Sequence, residues 1–500
     1  MSGGRSLARA GVVVMFLNGA AIVAAFAREA TIAYYYGASA ELDAFSVAFS
    51  FVRTVTEIMP LTLGLAIIPV LAQQRERSAE YIGIMATWLL LLFGTLSVGY
   101  ALAGRYLVRL ISSGFDQHRA ALAEHFVWLV APVILVRGLL IPTKAFANFF
   151  RRFTLAELAR VVASCAIVLT LVLLAQRWKG DALPSAFAIG SGVALILTTA
   201  ALTGTGIKPG IKGGLAVFRQ SAPLLGMLTV FFILLYVRQA INLFLFSQLE
   251  EGVLSSARYA ASVISVPIAL VGGAIATVIF PEIAVAAADG NKVRVQDVAT
   301  RAVILGFLGG AVAATLLCLL NLPIIRLLFQ RGRFGAEATR LTALLVVPFA
   351  VSVPLGIIWG ILQRVSISVG RTWWLVASIS VSLPLQAVLG WAFMRAFGAL
   401  GIVTAHTICL AVTVSIVFWA SRRWLEMKKA LLCIAMLSCP MLAGAFFVGF
   451  CRSHLGLFLR IALAAAAVVL YIGIVRLFLR SVWKDLRYLL RSITQRGNAR

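Results

Sequence analysis

A chain of 500 residues that is 61% hydrophobic and only 12% charged, with a mean hydropathy of +0.99, lies far outside the range of soluble globular domains. A formal net charge of +26 would suggest nucleic acid for a soluble protein, but here the basic residues gather in short loops between apolar runs and at the C-terminus, which is a topology signal and excludes nucleic acid as a partner. Six cysteines, Cys165, Cys318, Cys409, Cys433, Cys439 and Cys451, fall mostly in apolar stretches with no Cys-x-x-Cys pair, against a disulfide framework or a zinc site.

Apolar segments long enough to cross about 30 Å of hydrocarbon at about 1.5 Å per residue define the fold class: an all-α polytopic membrane protein of about fourteen transmembrane helices. The first, 10–36, begins like a signal peptide, with Ala-Phe-Ala resembling a cleavage site, but the run continues past Arg28 and Glu29 to Tyr36 and reads as an uncleaved span. The second, 44–72, follows Asp43 and contains Arg53. Arg28 stands eight residues before Tyr36 and Arg53 nine after Ala44, so both lie about 12 to 14 Å below the outer boundary, level with each other. A cation at such depth costs at least about 2.5 to 3.5 kcal/mol, and normally faces a watery cavity where it does a job.

Spans at 82–104, 122–148, 156–176, 182–204 and 218–246 follow. Within them Arg137, Lys144 and Arg238 are weaker candidates, each close enough to a boundary, or long enough, to reach polar surroundings. The eighth span, 253–284, carries Ser262 at the depth of the first two arginines, with Arg258 one turn further out on the same face. Three guanidiniums converging from the first, second and eighth spans would form a receptor for a diphosphate, because arginine presents a planar, always-charged fork of donors. The competing readings are local: Arg28 paired with Glu29 or Asp43, Arg53 paired with Glu57 four residues on, and Arg258 merely snorkelling.

The remaining spans fall at 300–328, 337–363, 372–394, 398–420, 429–450 and 456–479. Assigning alternate loops to one side puts roughly twenty-six Lys and Arg there against about ten opposite, which places both termini in the cytoplasm, as an even helix count requires. The tail after Arg476 alternates basic residues with Leu, Tyr, Trp and Ile, as suits either a helix on an anionic inner leaflet or a plain stop-transfer anchor.

Offsetting the chain by about 212 to 219 residues aligns Pro69 with Pro281, Pro132 with Pro348, Arg152-Phe-Thr with Arg371-Thr-Trp, and the stretch from Tyr106 to Phe115 with that from Ile324 to Phe334. Two parallel, pseudo-symmetric six-helix lobes follow, 1–217 and 218–424, around a central cavity, with two extra helices in 425–480 and a basic cytoplasmic tail in 481–500. No catalytic residue, cofactor or metal site is expected. The stretch Gly204-Thr-Gly206-Ile-Lys-Pro-Gly210 lacks the Gly-Lys-Ser/Thr ending of a P-loop, and His118, His125, His406 and His454 form no metalloprotease motif. Nucleotide hydrolysis is therefore not the energy source; membrane potential, an ion gradient or consumption of the product must serve.

The stretch Arg28-Glu-Ala-Thr-Ile-Ala-Tyr-Tyr-Tyr-Gly37, then Asp43-Ala-Phe-Ser-Val-Ala-Phe49, Arg53 and Ile68-Pro69, resembles the opening helices of the MurJ/MviN family of lipid II flippases. The stretch Leu327-Leu-Phe-Gln-Arg-Gly332-Arg-Phe-Gly-Ala-Glu-Ala-Thr339-Arg-Leu-Thr342 is similar to that family's most recognisable loop. The resemblance implies the multidrug/oligosaccharidyl-lipid/polysaccharide exporter fold in a bacterial inner membrane, and movement of undecaprenyl-pyrophosphate-linked peptidoglycan precursor between leaflets by alternating access. It implies substrate contacts at Arg28 and Arg53, orienting or gating roles for Glu29 and Asp43, and a lipid-tail groove at the last two helices. Besides the lipid-linked glycan and membrane lipids, cell-wall synthesis proteins are the partners such a carrier would meet.

One departure stands out. Family members commonly carry Asp-Arg in the eighth helix where this chain has Ala261-Ser262, so Arg258, a turn earlier, is the candidate third phosphate contact, with Ser262 beside the site. Carboxylates proposed as a sodium site in some relatives have no counterpart here, so sodium coupling is not expected. The departure keeps open a flippase of the same fold for a lipid-linked exopolysaccharide. A multidrug or cation antiporter would call for buried carboxylates rather than a cationic cavity, and a non-transporting cell-wall scaffold would tolerate loss of the arginines.

Overall fold

A backbone in hydrocarbon must satisfy its own hydrogen bonds, and a chain with this apolar content does so by winding into helices. The computed structural model describes residues 2–73, 78–150, 152–211, 214–450 and 457–478. These form α1 (Ser2–Tyr36), α2 (Ala40–Gln73), α3 (Ser78–Ile111), α4 (Gln117–Phe149), α5 (Phe153–Trp178), α6 (Ala182–Ala200) and α7 (Gly214–Ser247). After them come α8 (Val253–Ala288), α9 (Lys292–Leu319), α10 (Asn321–Phe329), α11 (Ala336–Ser368), α12 (Trp373–Ala420), α13 (Met427–Phe450) and α14 (Leu457–Phe478). Among the described residues there is no strand, and 11 helical stretches are long and apolar enough to span a membrane. The basic tail predicted at 481–500 lies outside the described residues.

One predicted boundary is kept at a kink, and one predicted span is divided. The predicted spans 372–394 and 398–420 are two helices, carried together under the label α12, that meet at a kink where Gly398 takes a non-helical φ of 58° and ψ of −135°. Only glycine adopts that backbone conformation at little cost. The predicted span 300–328 divides at Leu319: the Asn321 side chain accepts from the Leu322 amide at 2.7 Å and donates to the Ala343 carbonyl at 3.0 Å, starting the short α10. Asparagine competes with the helix ladder in this way wherever its side chain can mimic a backbone turn.

The chain divides into two compact units, 1–256 with 329–338, and 257–328 with 339–500. In the first, α2 packs on α4, α4 on α3 and α6, and α5 on α6 and α1, while α7 lies against α2 and α3. Gly138 lets α4 approach α3, since a Cβ there would fall onto the ring of the buried Phe93. In the second unit α9 packs against both α13 and α14. Buried polar groups pin α14 there: the Tyr471 hydroxyl lies 3.0 Å from Thr315 Oγ1 and 3.3 Å from the carbonyls of Ala311 and Leu437. About three turns earlier on α14, the Arg460 guanidinium donates to the Leu319 carbonyl at 3.2 Å and to Asn321 Oδ1 at 3.0 Å, capping the C-terminus of α9 with a positive charge.

Candidate functional site

The arginine of α1 sits on a particular stripe of its helix. Phe16, Val23, Ala27 and Tyr34 form the exposed side of α1, whereas Arg28 lies within about 40° of the buried Ala21 and Ile32. Despite that position, 26% of its side chain remains accessible. Its Nη2 and Nε donate to Glu29 Oε1 at 3.0 and 3.3 Å, so the pairing with Glu29 weighed from the sequence is present. The guanidinium also lies 5.7 Å from the ring centroid of Phe187 on α6.

Phe187 belongs to a buried aromatic cluster with Phe45 and Phe49 of α2, whose ring centroids are 5.2 and 5.0 Å from its own. Arg53 is four residues beyond Phe49 and eight beyond Phe45, on the same side of α2, and is exposed. The arginines of α1 and α2 are therefore placed about one aromatic patch, one over its α6 member and one a turn below its α2 members. Arg258 and Ser262 belong to the second unit, on α8. Arg258 is partly buried, and the Ser262 hydroxyl is turned onto its own helix, donating to the Tyr259 carbonyl at 2.7 Å.

Asp43 has a different station. Its carboxylate is fully buried and accepts from the Gly252 amide at 2.8 Å, the Ser255 amide at 2.8 Å and the Ser255 hydroxyl. Four amides at the start of any helix lack intrahelical partners, and an anion there satisfies them while meeting the positive end of the helix dipole. Asp43 thus caps α8 from α2. Arg119 of α4 completes the arrangement, its Nη1 being 3.7 Å from Asp43 Oδ2 and 3.3 Å from the Leu249 carbonyl, with Nε bonded to Asp116. Hydrogen bonding to Arg119 holds the Asp116 carboxyl below the usual carboxylate range.

The same end of the first unit carries further ties. The Ala40 amide donates to Glu251 Oε1 at 2.9 Å, the Arg333 amide to the Tyr34 carbonyl at 2.9 Å, and the Tyr36 hydroxyl to the Lys179 carbonyl at 2.8 Å. Gly37, with φ of 59°, makes the α1–α2 turn in a left-handed conformation, and a Cβ there would strike the Arg333 carbonyl. Near the other end Lys144 pairs with Glu157 at 2.8 Å, and Arg160 joins Glu157 and Asn18 at 3.2 Å each. Among the described residues no group of three or more His, Cys, Asp or Glu is placed to hold a metal ion.

Sequence reasoning missed Gly252, Ser255, Arg119 and Phe187. The first two lie more than 200 residues from Asp43, beyond any local pattern; the spacing of Asp116 and Arg119 was the one local signal available.

A bundle of helices long and apolar enough to span a membrane, with cations about a buried aromatic patch and a capped, cross-tied end, is that of a polytopic membrane protein. Solved structures agree on the fold: a lipid II flippase MurJ in an inward closed conformation has a TM-score of 0.79 at 16% identity, covering 94% of this chain and 99% of its own. An inward-facing multidrug resistance MATE family transporter of the MOP superfamily has a TM-score of 0.63 at 13% identity, covering 82% of this chain and 95% of its own. The family model described as lipid II flippase MurJ matches residues 32–478, and the chain belongs to that family. A probable lipid II flippase MurJ of Rhizobium meliloti (strain 1021) is 26% identical over 417 residues, 77% of this chain and 74% of its own. The lipid II flippase MurJ of Burkholderia cenocepacia is 25% identical over 349 residues, 64% of this chain and 65% of its own.

Proposed function

We propose that this protein is a lipid II flippase: a carrier without enzymatic activity that takes undecaprenyl-pyrophosphate-linked peptidoglycan precursor from the cytoplasmic to the outer leaflet of a bacterial inner membrane. Family membership supports the substrate, and the observation that carries the site is the placement of Arg28 and Arg53 about the Phe45, Phe49 and Phe187 cluster within the spans. Their guanidiniums hold the pyrophosphate. A pyrophosphate of two or more negative charges competes with the single carboxylate of Glu29 for Arg28, because it carries more charge and offers more acceptor oxygens to the guanidinium fork. Glu29 then serves to keep Arg28 oriented while no substrate is bound. On sequence depth alone we assign Arg258 a further headgroup contact, with Ser262 one turn below it.

The prenyl chain stays in lipid throughout, since drawing so large an apolar surface into water is opposed by the hydrophobic effect. Asp43 acts as a gate element: its bonds to the first turn of α8 latch α2 to that helix, and releasing them opens the end that carries the α1–α2 turn. The two lobes and both cytoplasmic termini inferred from the repeat and the charge bias complete the reading.

The test is complementation of a strain depleted of its own lipid II flippase, with membrane levels checked by immunoblot. Arg28→Gln and Arg53→Gln are each expected to abolish growth at unchanged levels. Full growth with both variants would remove the phosphate site from this proposal.

A further inference from the structure

Arg137 is an intramembrane cation left unassigned above. It lies in α4, twenty residues after Gln117 and twelve before Phe149, inside an apolar stretch fit to span the membrane. Its guanidinium carbon is 5.4 Å from the ring centroid of Phe49. Phe49 is the α2 ring packed 5.0 Å from Phe187, over which Arg28 stands. Helices α1 and α4 therefore each send a guanidinium to one aromatic cluster, and Arg53 stands a turn along α2 from it.

Snorkelling does not account for this position. The nearer end of α4 is at Phe149, about 18 Å away along the axis, whereas Gln117 is about 30 Å away. Helical side chains lean toward their own N-terminus, so the head of Arg137 is carried toward the more distant end and onto Phe49. The level of the guanidinium is that of Phe49 itself, which lies six residues, about 9 Å, along α2 from Asp43. An aromatic face holds a guanidinium by its π surface, and the N–H fork lies in the plane, directed at oxygen acceptors.

The geometry points to Arg137 as a further substrate-binding residue, taking phosphoryl or carboxylate oxygens of the same anionic headgroup that Arg28 and Arg53 hold. This inference rests on the flippase reading. It deepens it by giving the first unit a three-helix receptor from α1, α2 and α4.

Native mass spectrometry of the purified full-length protein titrated with undecaprenyl pyrophosphate, and separately with lipid II, tests the assignment. Arg137→Gln should bind at least about tenfold more weakly than wild type, the loss expected of one charge-assisted contact, and Arg137→Lys, which keeps the charge without the planar fork, should fall between the two. A defect with both lipids assigns the contact to phosphoryl oxygens; a defect with lipid II alone assigns it to the peptide carboxylates. Should Arg137→Gln be poorly folded by size-exclusion chromatography, Arg137→Met, which keeps the apolar stem, takes its place under the same criteria. Wild-type binding of both lipids by the neutral variant, while Arg28→Gln has lost them, overturns the role of Arg137 and leaves the flippase reading intact. Wild-type binding by Arg28→Gln as well overturns both.

Discussion

Asp43 shows how much a single buried carboxylate can decide. It is fully buried, yet three donors from the start of α8 and the nearby Arg119 guanidinium replace the water it has lost. Breaking a buried charge arrangement by deleting one partner leaves the others uncompensated and typically costs about 3 to 5 kcal/mol, while loss of one hydrogen bond to a charged group costs about 1.5 to 3 kcal/mol. Asp43→Ala is therefore expected to lower the thermal midpoint in detergent by more than Ser255→Ala does, as read by a fluorescence melting assay. Equal midpoints for the two variants would show that the cap contributes no more than its hydroxyl bond. From the sequence, Asp43 was singled out as an orienting or gating group for the arginines, but its partners were invisible, because a cap supplied by a helix some 210 residues distant leaves no periodic trace. Arg28 was more legible. A lone cation in an apolar run announces itself through its cost, although nothing local revealed that Phe187 would lie beneath it.

At the scale of elements, helices were read well where hydrophobic length is the only determinant, and less well where one residue changes the backbone. The separation of 372–394 from 398–420 holds at the Gly398 kink, whereas Asn321 cuts another predicted span in two through a bond that a hydropathy count does not weigh. The attachment of α14 is likewise a matter of particular atoms. Its surface is apolar on every side, so lipid and protein solvate it almost equally, and in such a medium polar contacts and close packing choose the partner. Tyr471 and Arg460 make that choice for α9. Tyr471→Phe removes a hydroxyl bonded near three acceptors and is expected to destabilise the purified protein by about 1 kcal/mol, within the range found for interhelical hydrogen bonds in bilayers. Protease accessibility of the segment joining α13 and α14 should rise in that variant if the hydroxyl seats the helix; an unchanged digestion rate and midpoint would assign the seating to packing alone.

For the whole molecule, orientation rests on the imbalance of positive charge between alternate loops, a physical bias imposed at insertion. It predicts that Lys208, between α6 and α7, faces the cytoplasm and that Glu250, between α7 and α8, faces outward. In a background lacking the six native cysteines, Glu250→Cys should react with a membrane-impermeant maleimide in intact cells, and Lys208→Cys only after permeabilisation. The reverse pattern would invert the topology and with it the direction of transport proposed here. Composition and the spacing of apolar runs determined by themselves that this is a many-helix membrane protein with costly cations inside its apolar runs, because burying backbone and charge in hydrocarbon restricts what a sequence can be. Which groups meet was decided only in three dimensions: the cap of Asp43 on α8, the gathering of Arg28 and Arg137 about one aromatic cluster, and the seat of α14 on α9. Those pairings join residues tens to hundreds of positions apart, and short-range geometry between distant segments is fixed by packing rather than by any pattern along the chain.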